Sequence, residues 1–177
     1  MKQILLFTCC ILLLAEVKSQ TRTMPSWFPE VFKSKGLDKK YGPASFLVPA
    51  YIVSDFNGDS IPDVAVLVIE RSSQKKGILL IHGNTFDTFV FGAGSAFGEG
   101  DDDFKWASRW KLYTKKKATE SLLEKESGDK IGSREVKLYR PGILVERVED
   151  DAVAAGGIIY WNDQGYIWIQ QGEQSEN

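Results

Sequence analysis

Apolar residues in this chain come in short runs separated by polar, glycine-bearing stretches, and that spacing predicts strands. Val64-Ala65-Val66-Leu67-Val68-Ile69 is a continuous apolar run ended by Glu70-Arg71-Ser72-Ser73, the length of a strand buried on both faces. Ile78 to Ile81 follows a turn at Lys75-Lys76-Gly77, and Thr85 to Phe91 follows a turn at His82-Gly83-Asn84. Such runs with short connections predict an antiparallel meander. Upstream, Ser45 to Ser54 is rich in Phe, Val, Ile and Tyr and reads as a strand, with Pro49 marking an edge or a bulge. Trp27 to Phe32 reads either as one helical turn or as a docking arm, and Gly36 to Ala44 as a turn-rich connector.

The second half is less decisive. Trp106, Trp110 and Tyr113 recur at i, i+4 and i+7, the spacing of a helix face, with a twisted strand as the alternative. Ala118 to Glu126 fits a short helix or a polar strand. Glu135 to Tyr139 and Ile143 to Val148 flank Arg140-Pro141-Gly142, where Pro-Gly suits the centre of a type II turn. The clearest hairpin joins Gly157–Trp161 to Tyr166–Gln170 across Asn162-Asp163-Gln164-Gly165. Gly172 to Asn177 is polar and predicted to fray. The expected fold is therefore mainly β, with antiparallel meander sheets and one or two short helices.

The N-terminus adds a targeting signal. Lys2 precedes an apolar run from Ile4 to Ala15, too short to span a bilayer comfortably, and Val17-Lys18-Ser19 sets a cleavage site before Gln20. The expectation is a signal peptide over residues 1–19, one domain over 20–177, and a periplasmic or extracellular destination with no stable membrane span. Both cysteines, Cys9 and Cys10, lie in the signal, so the mature domain has no disulfide and relies on its core or on a metal. Loss of Lys2, Lys18 and Glu16 leaves 20 basic and 23 acidic side chains, a net charge of −3. That balance argues against a nucleic-acid partner, and Lys115-Lys116-Lys117 reads as a solvated face.

The densest chemistry is Asp55-Phe56-Asn57-Gly58-Asp59-Ser60-Ile61-Pro62-Asp63. Oxygen-bearing side chains fall at loop positions 1, 3, 5 and 9, a spacing that wraps a hard cation. Asp55, Asn57, Asp59 and Asp63 offer side-chain oxygens, and Ile61 offers its carbonyl. Three carboxylates favour one Ca²⁺ and repel each other without it. An EF-hand does not fit, because Ser60 stands where that loop wants glycine and Val66 where it wants glutamate.

Asp55-Phe56-Asn57-Gly58-Asp59, then Asp63, then Val64-Ala65-Val66-Leu67, resembles the calcium loop of FG-GAP/VCBS-type repeats, the blades of integrin-like propellers. The resemblance covers residues 54–69. It implies ligand roles for Asp55, Asn57, Asp59 and Asp63, a tight turn at Gly58, and an ion held between two strands of a blade. Ser60 departs from the usual second glycine, and the motif occurs once, so a single blade-like sheet is expected rather than a complete propeller.

Other features carry less. Glu99 and Asp101-Asp102-Asp103 could hold a second cation, but contiguous carboxylates diverge, and a solvated loop is the simpler reading. Gly92, Gly94 and Gly98 miss the dinucleotide frame by one residue. Trp106, Trp110, Tyr113, Tyr160, Trp161, Tyr166 and Trp168 could form a glycan-stacking platform, yet a cysteine-free β domain uses such rings in its core. His82 is the only histidine and reads as a turn residue. No thiol pair, nucleophile elbow or His/Cys zinc set exists to support catalysis after cleavage. A carboxylate-dependent hydrolase has many candidate acids and nothing to select two. The sequence favours a non-enzymatic binding or structural module with a protein or glycan ligand.

Overall fold

A computed structural model of the chain describes residues 23–124, 127–150 and 152–172. The signal peptide and cleavage site expected from the sequence, and the last five residues, lie outside these. Helix α1, Trp27–Ser34, carries Phe28 and Phe32 one turn apart and buries both. A short helix α2, Leu37–Lys40, follows Gly36, whose φ of 68° reverses the chain.

Strands β1 (Tyr41–Pro43), β2 (Tyr51–Ser54), β3 (Asp63–Glu70), β4 (Lys76–Ile81) and β5 (Thr88–Gly92) make the first sheet. β3, β4 and β5 form the expected meander. β1 and β2 lie in tandem along the other side of β3, opposite its C-terminal and N-terminal halves respectively. The strand expected over Ser45–Ser54 is therefore shorter. The Ala44 N–H donates to the Leu67 carbonyl at 2.9 Å, and the Leu67 N–H donates to the Ala50 carbonyl at 3.2 Å. Residues 45–49 loop out between those two bonds, and Pro49, lacking an N–H, sits where the ladder is interrupted.

β6 (Arg109–Tyr113), β9 (Gly142–Glu149), β10 (Ala152–Trp161) and β11 (Tyr166–Gly172) make a second antiparallel sheet in the order β11-β10-β9-β6. Between them in sequence, β7 (Lys117–Leu123) and β8 (Lys130–Lys137) form a separate hairpin. It is tied to β11 by a hydrogen bond from Gln171 Nε2 to the Thr119 carbonyl, 2.9 Å.

The stack follows from the two-residue period of strands. Ala65 and Leu67 of β3 face Trp110, Ile143, Val145 and Ile159 of the second sheet, together with Phe104 and Trp106. Val64, Val66 and Val68 face the other way, onto Phe28 and Phe32 of α1. β3 is thus buried on both faces, as its unbroken apolar run predicts. β10 repeats the device: Ile159 enters the inter-sheet core, and Ile158 and Tyr160 pack with Ala118 and Leu138 beneath the β7–β8 hairpin. The layers run helix, sheet, sheet, hairpin. The architecture is antiparallel β with two short helices and no closed barrel or propeller among the described residues. No helix among them is long and apolar enough to cross a membrane.

The open readings of the second half resolve toward strand. The Trp106/Trp110/Tyr113 spacing comes from a 3₁₀ turn at Phe104–Trp106 followed by β6, not from an α-helix. Trp110 is buried because it alternates inward on β6, and its indole N–H donates to the Pro49 carbonyl at 2.6 Å. The turn expected at Arg140-Pro141-Gly142 is not type II. Gly142 is absent from the glycines with positive φ and already belongs to β9, so the segments around it pair in different sheets. Glycine is needed there for close approach: an added Cβ would stand 2.7 Å from Ile158 Cγ2. The β10–β11 hairpin is as expected, with Trp161 opposite Tyr166 and Asp163 at φ 76° in the turn.

Candidate functional site

The acidic loop connects β2 to β3, two neighbouring antiparallel strands whose last pair is Ser54 opposite Asp63. Its ends are anchored by burial. Phe56 is 1% exposed and sits in the inter-sheet core, and Asp63 is 0% exposed. Between these anchors, residues 58–62 are exposed.

The loop folds on its own side chains. Asp55 accepts from the Gly58 N–H (2.7 Å) through Oδ1 and from the Ser60 N–H (3.0 Å) through Oδ2. Asn57 Oδ1 accepts from the Asp59 N–H at 3.0 Å, and Asp59 Oδ1 accepts from the Ile61 N–H at 2.8 Å. Asn57 Nδ2 donates to Asp59 Oδ2 at 3.0 Å. These are the short-range bonds for which Asp and Asn favour turns. Gly58 (φ 85°) and Ser60 (φ 71°) supply the left-handed residues that close it. Serine pays on the order of 1 kcal/mol for that conformation, which the Asp55 carboxylate offsets by accepting its N–H.

Asp63 does a different job. Its Oδ2 accepts from the buried Phe56 N–H (2.8 Å) and the Asn57 N–H (3.4 Å), and its Oδ1 accepts from the Gly83 N–H (2.9 Å). One carboxylate therefore pins the start of the loop and the β4–β5 turn to the first residue of β3. Burial pushes its pKa up, while the Gly83 and Phe56 N–H groups and then His82 work in the opposite direction. Gly83 is required by contact, since an added Cβ would stand 2.2 Å from the Pro62 carbonyl oxygen.

Two supports come from far along the chain. His82 is 3% exposed, so its ring is not a surface turn group. Its backbone does flank the β4–β5 turn, but the ring lies against Phe89 and Trp161, and Nε2 pairs with the Tyr166 hydroxyl at 2.9 Å. Burial, then the charges of Asp63 and Asp55, push the Tyr166 phenol far above its ordinary range. Arg140 donates from Nη1 to the Asn57 carbonyl at 2.7 Å and pairs with Asp163 at 2.6 Å. It lays a guanidinium against Gly58 and ties the loop to the β10–β11 turn. Neither residue carries a local signal of this role, because each acts across long sequence separations.

The candidate ligands Asp55, Asn57, Asp59, Ile61 and Asp63 thus share one loop, with Asp55, Asp59 and Asp63 each turned toward backbone N–H groups. Among the described residues no set of three or more His, Cys, Asp or Glu side chains is grouped to hold a metal ion. The donor chemistry still suits a hard cation: three carboxylates, an amide and a carbonyl, all oxygen. A carboxylate oxygen that accepts one N–H keeps a second lone pair.

The other candidates have structural partners. Asp102 pairs with Lys75, and Asp103 Oδ1 accepts from the Lys76 N–H (2.9 Å) and the Lys105 N–H (3.1 Å), so this cluster fastens the 92–103 loop to β4. Trp106, Trp110 and Tyr160 are buried. Trp106 and Trp168, the tryptophans beside that loop, meet at 85°, which builds a core rather than a flat platform. Glu146, the other deeply buried acid among the described residues, is neutralised by Arg109 (2.6 Å) and Lys111 (3.8 Å). Comparison with protein-family models, with curated proteins and with solved structures returns no match.

Proposed function

We propose that this protein is an exported, β-rich binding or structural module whose Asp55–Asp63 loop takes one Ca²⁺, with Asp55, Asn57, Asp59, Asp63 and the Ile61 carbonyl as ligands. The observation that carries the reading is placement. The oxygen-rich segment bridges two adjacent antiparallel strands, and the deepest of its carboxylates already holds both the loop and the neighbouring turn. An ion there would neutralise the three carboxylates that share this loop and rigidify the junction. Its role is structural, and the partner is a protein or a glycan met at the surface.

Asp55 and Asp59 would rotate from their N–H partners toward the ion, while Asp63 keeps its backbone bonds with one oxygen lone pair turned to it. A melting comparison tests this. At a free Ca²⁺ concentration of about 100 times Kd, binding adds about 2.7 kcal/mol. For a domain of this size that raises Tm by about 5–10 °C over the chelated protein. Superimposable melting curves with calcium and with chelator would sink the proposal.

A further inference from the structure

β5 is the last strand of the first sheet, and its outer side meets no other strand among the described residues. The β4–β5 register shows which of its backbone groups point outward. The His82 N–H donates to the Asp87 carbonyl (3.0 Å) and the Ala93 N–H donates to the Lys76 carbonyl (2.8 Å). Both pairs continue the register that sets Leu80 opposite Phe89 and Ile78 opposite Phe91. Opposed residues of an antiparallel pair exchange hydrogen bonds at every second position. Phe89, Phe91 and Ala93 therefore turn their backbone groups to β4, while Thr88, Val90 and Gly92 turn theirs outward. Gly92 is already served, since it exchanges hydrogen bonds with Ser95 in both directions, each 2.9 Å. The N–H and C=O groups of Thr88 and Val90 meet no backbone partner among the described residues.

Proteins guard free sheet edges with charge, proline, bulges or a covering segment. The other edges here follow that rule. β6 carries Arg109 and Lys111, and β8 carries Lys130, Arg134 and Lys137. The β1–β2 side is interrupted around Pro49, and β11 is flanked by β7. β5 has no charge, no proline and no register shift, and its Thr88, Phe89 and Val90 are only half-buried. We propose that β5 pairs antiparallel with β5 of a second copy of this chain, across a two-fold axis at Phe89. In that register Thr88 of each copy faces Val90 of the other, and each such pair exchanges an N–H and a C=O in both directions. The two Phe89 side chains meet at the axis, on the face that packs against the second sheet. Charge agrees with this register: the exposed Asp87 faces Phe91 of the other copy rather than its own counterpart, so no like charges oppose. The contact uses the free edge of both copies, so it closes at a dimer. A pair of short strands is a small interface, so the association is reversible and grows with concentration.

Sedimentation velocity and residue-resolved amide hydrogen exchange test the idea, each on the purified protein at two concentrations about 100-fold apart, a span over which a weak self-association changes its populations. The sedimentation coefficient should rise from that of a monomer toward that of a dimer. Protection of the Thr88 and Val90 amides should rise with it, while the amides of Phe89 and Phe91, already bonded to β4, keep theirs. Val90→Pro removes an outward N–H and leaves the β4 ladder intact, so it should sediment as a monomer at both concentrations. Val90→Lys keeps that N–H and places a charge on the edge, with its stem lying along the half-buried surface; it should also stay monomeric. A monomer at both concentrations in the unsubstituted protein, fast exchange at Thr88 and Val90 in the dimer, or a dimer that survives Val90→Lys would each overturn the proposal.

Discussion

Asp63→Ala separates the structural work of the loop from its proposed ligand role. The substitution removes the acceptor for three N–H groups, those of Phe56 (2.8 Å), Gly83 (2.9 Å) and Asn57 (3.4 Å). The Phe56 bond is buried and the Gly83 bond partly so, and each donor left unpaired costs about 1–3 kcal/mol. The Asn57 bond is long and partly exposed, so water replaces it at little cost. Part of the loss is returned, because the substitution also relieves the burial that raises the Asp63 pKa. The balance is a loss of about 3 kcal/mol, or a fall in Tm of about 6–12 °C. Urea unfolding in the presence of chelator reads this without any contribution from metal. Asp59→Ala is the control: its bonds to the Ile61 N–H and to Asn57 are exposed, so under the same conditions it should cost less than about 1 kcal/mol. Equal costs for the two variants in chelator would refute the division of labour drawn from the hydrogen bonds.

Arg140→Met removes the link from the β8–β9 connection to Asn57 and Asp163; it should lower stability in chelator by about 1–2 kcal/mol and, by removing a cation beside the loop, raise calcium affinity several-fold, both read by denaturation and titration. Tyr166 should resist ionisation until the protein unfolds. Because its folded pKa lies above that of the unfolded chain, its contribution to stability is complete below pH about 10 and declines as pH rises further. Absorbance at alkaline pH should therefore show a tyrosine step that coincides with unfolding, and Tyr166→Phe should shrink that step. Gly157→Ala would place a methyl 2.0 Å from the Trp168 ring; it should destabilise by about 1–3 kcal/mol or more, and a neutral result in a melting assay would mean that the ring is free to move.

What the sequence discloses here is what local pattern controls. β3 is readable because one strand buried on both faces needs an unbroken apolar run. The β10–β11 hairpin is readable because its turn residues and its aromatic and β-branched pairs lie within a few positions of each other. The Trp106/Trp110 spacing leaves helix and strand open in the sequence because a 3₁₀ turn before a strand reproduces helical spacing by accident. Pro-Gly at 141–142 misleads because the glycine answers a packing constraint from Ile158 rather than a turn. The acidic loop is legible as a loop, since Asp, Asn and Gly fold it locally. Its supports are not: His82, Tyr166 and Arg140 reach the site only after both sheets have formed, and single-sequence spacing holds no trace of those contacts.

The central claim rests on the ion. Calorimetric titration of Ca²⁺ into chelator-stripped protein, alongside Asp59→Ala, tests it most directly. The account predicts saturable binding of one Ca²⁺ per chain, lost in the variant although its fold persists. Absence of binding heat in the unsubstituted protein, or identical binding in Asp59→Ala, would contradict it and leave the Asp55–Asp63 segment as a turn held by its own hydrogen bonds.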